Sequence, residues 1–373
     1  MTRAGTGKSL IALHLLGELH RKGMTVFYVA KSSYIKESYF KMLTRDIPDY
    51  KILRTLFRGS GDFHKEAFSG DKQFDCLIVD EAHRLTQKTK VSFMFYGDNQ
   101  IREIIHASKV SVFFIDETLQ VDIKDFGTIK NIKEAAAIEG AEVIEDDKYV
   151  LKSKFRCNGS DEYISWVENT LYNRPYAPMT EVMDYDIRLF DDLNEMHKAI
   201  KEKDSVCENP CRMLSGDVFH WISMKDKSQI DIVLDGFSAQ WNKTKSFAVD
   251  KSSIDEVGCI HTSQGMEFEY VGLIIGDDLL YRDGKIVTDY TRHPIGSGEF
   301  KRPHQRKVKQ EDCETIDRII SNTYKVLFTR GQKGLYLYVM DPSLKEHLRV
   351  EIDRVHNAQA LLLALARKYN EIN

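Results

Sequence analysis

The strongest chemical signal lies in the first nine residues. Gly5-Thr6-Gly7-Lys8-Ser9 has the make-up of the second half of a phosphate-binding loop. Glycines let backbone N–H groups turn inward around a polyphosphate. Lys8 has the reach to serve the β- and γ-phosphates, and the Ser9 hydroxyl is placed to ligate Mg²⁺. A nucleotide polyphosphate with Mg²⁺ is expected here, cradled by Gly5, Thr6, Gly7, Lys8 and Ser9. The apolar series Leu10, Ile11, Leu13, Leu15, Leu16, Leu19 predicts a helix directly after the loop, ended by Gly23. Its N-terminal dipole favours the same anion. The full pattern asks for glycine at position 2, where this sequence has Thr2, and for a strand before the loop. The expectation is therefore a chain that begins inside its own nucleotide site, the first strand of its first domain missing.

A second signal is Cys76-Leu77-Ile78-Val79 followed by Asp80-Glu81-Ala82-His83. A buried strand that ends in two carboxylates suits a metal ligand, Asp80, and a residue that orients and deprotonates the attacking water, Glu81. A third apolar run, Val110 to Ile115, delivers Asp116 and Gln120 to the same carboxyl edge, where α/β sheets bind ligands. Gln120 is suited to bonding the γ-phosphate and a neighbouring domain. Asp116 reads equally as a ligand contact or a loop cap. The run Thr25 to Ala30 is a further buried strand, and the Lys31–Tyr34 loop after it reads as ordinary surface, with nucleic-acid contact as the alternative. Ile132 to Asp147 reads as a helix followed by a strand at Ala141-Glu142-Val143-Ile144.

A change of pattern near Asp146–Tyr149 marks a domain boundary. The aromatic stripe Tyr163, Trp166, Val167, Leu171, Tyr172 fits a buried helix face. Arg212 to Gly216 reads as a strand, and Trp221 and Trp241 as packing residues. Gln264, Gly265 and Glu267 form a polar turn before a buried strand, with groups to offer a ribose or nucleic acid. Lys301, Arg302, Arg306, Lys307 and Lys309 read as a solvated loop, with a nucleic-acid backbone contact as the alternative. Arg330, at a helix end before the strand Gly334–Val339, is the candidate arginine finger, because its rigid fork suits charge developing on a γ-phosphate. Pro342 to Asn373 predicts one or two amphipathic helices.

Composition sets the outer limits. The chain has 373 residues, a formal net charge of −4, 42% hydrophobic and 29% charged residues. These values suit a soluble protein of two domains and rule out a polyanion binder by bulk charge. No apolar run approaches the roughly 20 residues that span a bilayer, and nothing at the start reads as a secretory signal, so no membrane partner is expected and the cytoplasm is the expected location. The six cysteines are scattered, with only Cys207 and Cys211 close, and read as reduced structural thiols rather than a zinc site.

Taken in order, the Gly5–Ser9 loop, Asp80-Glu81-Ala82-His83, Asp116-Glu117…Gln120, Phe155-Arg156-Cys157, Gln264-Gly265-Met266-Glu267-Phe268 and Thr323 to Gly331 resemble a superfamily 1 helicase motor. They are most similar to the Schlafen group-3-like DNA/RNA helicase domain family, over essentially the whole chain. The resemblance implies an α/β fold of two RecA-like P-loop NTPase domains, with parallel sheets flanked by helices. The expected boundaries are residues 1–148, 149–345 and a helical tail over 346–373. It implies Lys8, Ser9, Asp80 and Glu81 on the first domain, Arg156 and Arg330 reaching in from the second, Gln120 linking the two, and Glu267 on the ATP ribose. The implied activity is ATP-driven movement on single-stranded DNA or RNA. The implied partners include an N-terminal nuclease-like domain, or a partner in its place, outside this sequence. The competing expectation is a catalytically weak nucleic-acid-binding or regulatory module whose truncated loop no longer supports turnover. A small-molecule kinase is a third, and it leaves Gln264–Phe268 and Thr329–Arg330 unexplained.

Overall fold

A computed structural model describes residues 7–44, 51–64, 66, 71–91, 94–151, 156–176, 178–294 and 310–372. Gly5, Thr6 and the basic residues between 301 and 309 lie outside them. The chain divides into two compact units, Met1–Lys154 and Phe155–Asn373. Each is a mixed α/β unit built on a parallel sheet, consistent with the RecA-like architecture.

Unit 1 opens with α1 (Lys8–Arg21), which leaves Gly7 at φ +81° and stops at Lys22 and Gly23, the latter at φ +76°. Both positions need the left-handed conformation that glycine supplies without a side-chain penalty. Next come β1 (Val26–Ala30), α2 (Ser33–Leu43), α3 (Lys51–Thr55), β2 (Phe57–Gly59) and β3 (Phe74–Val79). A small antiparallel pair, β4 (Thr89–Val91) and β5 (Met94–Tyr96), precedes α4 (Gln100–Ala107), β6 (Ser108–Phe113) and α5 (Ile129–Ile138). The main sheet runs β2-β1-β3-β6, all parallel. Its middle strands read as unbroken apolar runs because a parallel sheet is covered on both faces. Leu77, Ile78, Val79 and Val29 are fully buried, and α4 and α5 contribute Ile101, Ile104 and Ala135 to the same core. Asn99 caps α4, its side chain accepting from the N–H groups of Ile101 and Arg102.

One expected strand is absent. Residues 141–146 are irregular, with Val143 and Ile144 exposed at 44% and 74%. Among the described residues no strand edge pairs with this segment. Two apolar residues between glutamates cannot hold an extended conformation without a ladder to join.

Unit 2 begins with a short turn at 156–159 and α6 (Asp161–Leu171), whose Tyr163, Trp166, Val167 and Leu171 are buried as core. It continues through β7 (Asp186–Leu189), α7 (Leu193–Val206) and β8 (Arg212–Ser215), then the hairpin β9 (Ile232–Leu234) and β10 (Phe237–Ala239). After β11 (Val257–Gly258), α8 (Ile260–Ser263) and β12 (Phe268–Ile275) comes a second hairpin, β13 (Leu279–Arg282) and β14 (Lys285–Thr288). Helix α9 (Gln310–Phe328), β15 (Gly331–Val339) and α10 (Pro342–Ile372) complete it. The sheet order is β11-β8-β12-β15-β7, all parallel. Trp241 and Trp221 pack edge to face, 6.3 Å between centroids, in the core that α7 also lines. The C-terminal stretch is one helix. Leu344, Leu348, Ile352 and Val355 are buried along its first half, while Leu361, Leu363 and Leu365 are exposed.

Gly127 shows how tightly unit 1 packs behind its strand ends. A Cβ there meets the Ala82 carbonyl oxygen at 1.8 Å, a backbone atom that cannot swing aside. Gly127→Ala is therefore expected to cost about 1–3 kcal/mol, read as a lower denaturant midpoint for unit 1. A midpoint equal to that of the unsubstituted chain counts against this packing.

Candidate functional site

Unit 1 gathers its polar residues at the carboxyl edge of the β1–β3–β6 sheet. Strand β3 ends in Asp80, which is buried. Asp80 Oδ1 accepts the Glu81 N–H at 2.9 Å, and Oδ2 accepts both the Ser9 hydroxyl, at 2.6 Å, and the Tyr28 hydroxyl. Burial is the main force raising the Asp80 carboxyl above its ordinary value, the Glu81 charge adds to it, and the three donors oppose it. The chain then turns sharply. Glu81 sits at φ +51°, the Ala82 N–H bonds the Phe114 carbonyl at 2.9 Å, and a 3₁₀ turn follows over Ala82–Arg84. A left-handed glutamate costs of order 1–3 kcal/mol and is held only where its surroundings impose it. Glu81 Oε2 lies 3.0 Å from Nε2 of the fully buried His83.

Lys8, the first residue of α1, is buried with its ammonium 3.7 Å from Asp116 Oδ2. Asp116 also caps the next turn through Oδ1, which accepts the Thr118 N–H at 3.2 Å and hydroxyl at 2.7 Å. The loop-cap role is the one its hydrogen bonds show, with the ion pair to Lys8 beside it. Gln120 closes that turn. Its Nε2 lies 3.5 Å from the carbonyl oxygens of Asp125 and Gly127, at the outer limit of hydrogen bonding. Lys8, Ser9, Asp80, Glu81 and Gln120 therefore share one sheet edge. Lys31, at the end of β1, is tied to Asp125 at 3.5 Å, and Arg84 Nε approaches the same carboxylate at 3.1 Å.

The donors suit Mg²⁺, a hard cation that takes one or two protein oxygens and keeps several waters. Ser9 and Asp80 are the hydroxyl and carboxylate that would hold it. Among the described residues no cluster of three or more His, Cys, Asp or Glu forms a different metal site.

Unit 2 brings its own motifs together. Gln264 is buried at the end of α8, and Gly265 turns at φ +81°. Glu267 Oε2 accepts from Gln332 Nε2 at 3.0 Å. Arg330 is 1% exposed. Its guanidinium donates to the carbonyls of Val326 at 3.2 Å, Ser263 at 3.3 Å and Met266 at 2.8 Å. Its own carbonyl accepts the Phe268 N–H at 3.0 Å. The Gln264–Phe268 and Thr329–Gly331 segments are thus one packed element. Arg156 opens the turn at 156–159, and its side chain lies outside the described residues, as do Gly5 and Thr6.

Residues 3–341 match the family described as Schlafen group 3, DNA/RNA helicase domain. The chain belongs to that family. The match ends one residue before α10, so the long C-terminal helix follows the family domain. A yeast protein, "Uncharacterized protein YPL245W" of Saccharomyces cerevisiae, is 27% identical over 390 residues, covering 92% of this chain and 82% of that protein. Among solved structures, an arterivirus nonstructural protein 10 (helicase) in complex with DNA is 12% identical with a TM-score of 0.35. That alignment covers 90% of this chain, which spans only 58% of the viral chain. Family membership makes this a helicase-like domain.

Two contributors to the edge carry little signal in the sequence. His83 stands in the Asp-Glu-Ala-His run with no role of its own there. Tyr28 stands in an apolar strand as core, and only its phenolic oxygen among Val26, Phe27, Val29 and Ala30 marks it out.

Two outcomes follow from this geometry. A carboxyl whose folded pKa lies above its unfolded value favours folding only while protonated. That contribution is lost as pH rises through the folded value. Asp80→Asn should raise the melting temperature of nucleotide-free protein at pH 7, and the gain should shrink as pH falls into the range where Asp80 is protonated. No gain at pH 7 contradicts the raised carboxyl. Arg330→Ala leaves buried carbonyls without a donor, at about 1–3 kcal/mol each. Hydrogen exchange should quicken over 260–268 and 324–331 and stay unchanged in unit 1. Unaltered exchange at those segments would show that Arg330 does not hold them.

Proposed function

We propose that the chain is an ATP-dependent motor of the helicase type, which hydrolyses Mg·ATP and moves on single-stranded DNA or RNA. The observation that carries the reading is the Ser9–Asp80 hydrogen bond, with Lys8 and Glu81 on the same edge. A phosphate-loop hydroxyl joined to the acid at the end of a neighbouring strand is the pair of residues that would hold a nucleotide's Mg²⁺.

In this reading Lys8 exchanges Asp116 for the β- and γ-phosphate oxygens, and the N-terminus of α1 adds its dipole. A cation held by Ser9 and Asp80 would supply neutralisation of phosphate charge. Glu81 takes the proton of the attacking water on a carboxylate oxygen, while His83 fixes the other side of that group. Gln120, adjoining the loop over 125–127, is suited to report the γ-phosphate to that loop. Glu267 serves the ribose, with Gln264 and Gly265 shaping its turn. Arg156 and Arg330 are the guanidinium groups proposed for unit 2, and Arg330 has to exchange backbone carbonyls for phosphate to act so.

The catalytically weak binding module remains the second reading. It is favoured by one observation: the loop's own side chains are engaged by acids of the sheet edge, Ser9 donating to Asp80 and the Lys8 ammonium lying 3.7 Å from Asp116.

The test is ATP hydrolysis by the full chain with and without single-stranded DNA and RNA, beside Lys8→Ala and Glu81→Gln. The motor reading expects nucleic acid to raise the rate and each variant to lower it by about 10²-fold or more. Equal background rates for all three proteins, with nucleic acid still bound, favour the second reading. A rate that nucleic acid does not alter removes the motor.

A further inference from the structure

We propose that Tyr28 is a positioning residue for the divalent cation, fixing the plane of the Asp80 carboxylate independently of the cation ligand Ser9. The inference rests on the ATPase reading above and extends it to a residue outside the phosphate loop and the acidic strand end.

Tyr28 lies mid-way along β1, directly paired with Ile78 of β3, and is fully buried. Its ring is set by packing. Tyr39 of α2 meets it edge-on at 6.0 Å between centroids, and Phe57 of β2 lies at 5.2 Å. Among the described residues its hydroxyl makes one hydrogen bond, to Asp80 Oδ2. The rest of the strand, Val26, Phe27, Val29 and Ala30, carries no polar side chain. A buried phenol in such a strand needs a partner, and Asp80 supplies it.

The division of donors around Asp80 gives that bond its consequence. Oδ1 is held by the Glu81 N–H, and Oδ2 by Ser9 and Tyr28 together. A hydroxyl has two lone pairs and one proton, so Ser9 can offer a lone pair to a cation and keep its bond to Oδ2. The Glu81 N–H and the Tyr28 hydroxyl, one on each carboxylate oxygen, come from groups that are not cation ligands, and two such anchors fix the plane of the carboxylate independently of the cation. Without the phenol, Oδ2 keeps only the Ser9 hydroxyl, whose position cation binding itself sets. The carboxylate is then less restrained about its Cβ–Cγ bond, and cation binding has to order it. Outer-shell partners of this kind typically change metal affinity by 10–100-fold.

The experiment measures ADP binding to the full chain by calorimetry, in EDTA and across a Mg²⁺ titration, for the unsubstituted protein and Tyr28→Phe. Phenylalanine keeps the ring packing and removes only the hydroxyl. The expected result is unchanged affinity in EDTA and about a 10-fold higher Mg²⁺ concentration for half-maximal tightening. Equal Mg²⁺ half-saturation in the two proteins overturns the proposal. A merely structural role would weaken binding alike with and without Mg²⁺, which also overturns it. If the unsubstituted chain shows no Mg²⁺-dependent tightening at all, the ATP site itself falls and the role of Tyr28 falls with it. A second measurement needs no loss of the hydroxyl. With 3-fluorotyrosine placed at position 28, the ¹⁹F resonance should move when Mg²⁺ joins bound ADP and stay still when ADP binds in EDTA. A resonance indifferent to Mg²⁺ counts against the proposal even if Tyr28→Phe does not fold.

Discussion

A carboxylate at the end of a buried strand is an expensive group, and much of unit 1 is arranged around Asp80. Taking an ion out of water costs several kcal/mol even after relaxation. Among the described residues three hydrogen-bond donors share the load at Asp80, one of them from the residue that follows it. They come from three directions: the start of α1, the middle of β1 and the turn after β3. Each element must therefore hold its register for the carboxylate to be tolerated. The parallel pairing of β1 with β3, Tyr28 opposite Ile78, is what brings the phenol within reach. A one-residue slip would send Tyr28 to the opposite face of the sheet.

The same constraint explains the strained backbone beside it. Glu81 occupies the left-handed region at φ +51° because the chain has to leave the sheet at once, with the Ala82 N–H satisfied across β6 by the Phe114 carbonyl. Gly127 packs against the outside of that turn with no room for a side chain. Two residues, one strained and one stripped of its Cβ, thus fix where the Glu81 carboxylate and the His83 ring meet. Ordinary propensity would choose neither, which is the pattern expected where a site outranks local preference.

The parts legible in the sequence were those with a strong local signature. Gly7-Lys8-Ser9 before an apolar helix, and a four-residue apolar run ending in Asp80-Glu81, each announce an element and the chemistry at its end. The helix stop at Gly23 and the aromatic core face of α6 were readable for the same reason. The strand expected at 141–144 was not formed, because extended structure depends on a partner edge that propensity cannot report. Strand β7 went unread since Asp186-Ile187-Arg188-Leu189 alternates and is short. Tyr28 and His83 were invisible as functional groups because their meaning lies in a hydrogen bond across the sheet or around a turn, which no spacing rule encodes.

Arg330 poses the sharpest question about how unit 2 takes part. Its guanidinium is satisfied by the ends of backbone segments rather than by an acid, an arrangement that ties α9 to the turn at 263–266. Carbonyl dipoles are good partners for a planar fork, yet they are neutral. Hydrogen bonds to charged groups are worth roughly 1.5–3 kcal/mol against about 1 for neutral pairs. A guanidinium already donating to three carbonyls would leave them for a phosphate only if the new charge-assisted bonds more than offset the carbonyls left behind. Such a move would also free the Ser263 and Met266 carbonyls, which lie beside Gln264 and Glu267. Displacement of Arg330 and rearrangement of the turn at 263–266 are therefore one event, not two, whichever of them comes first.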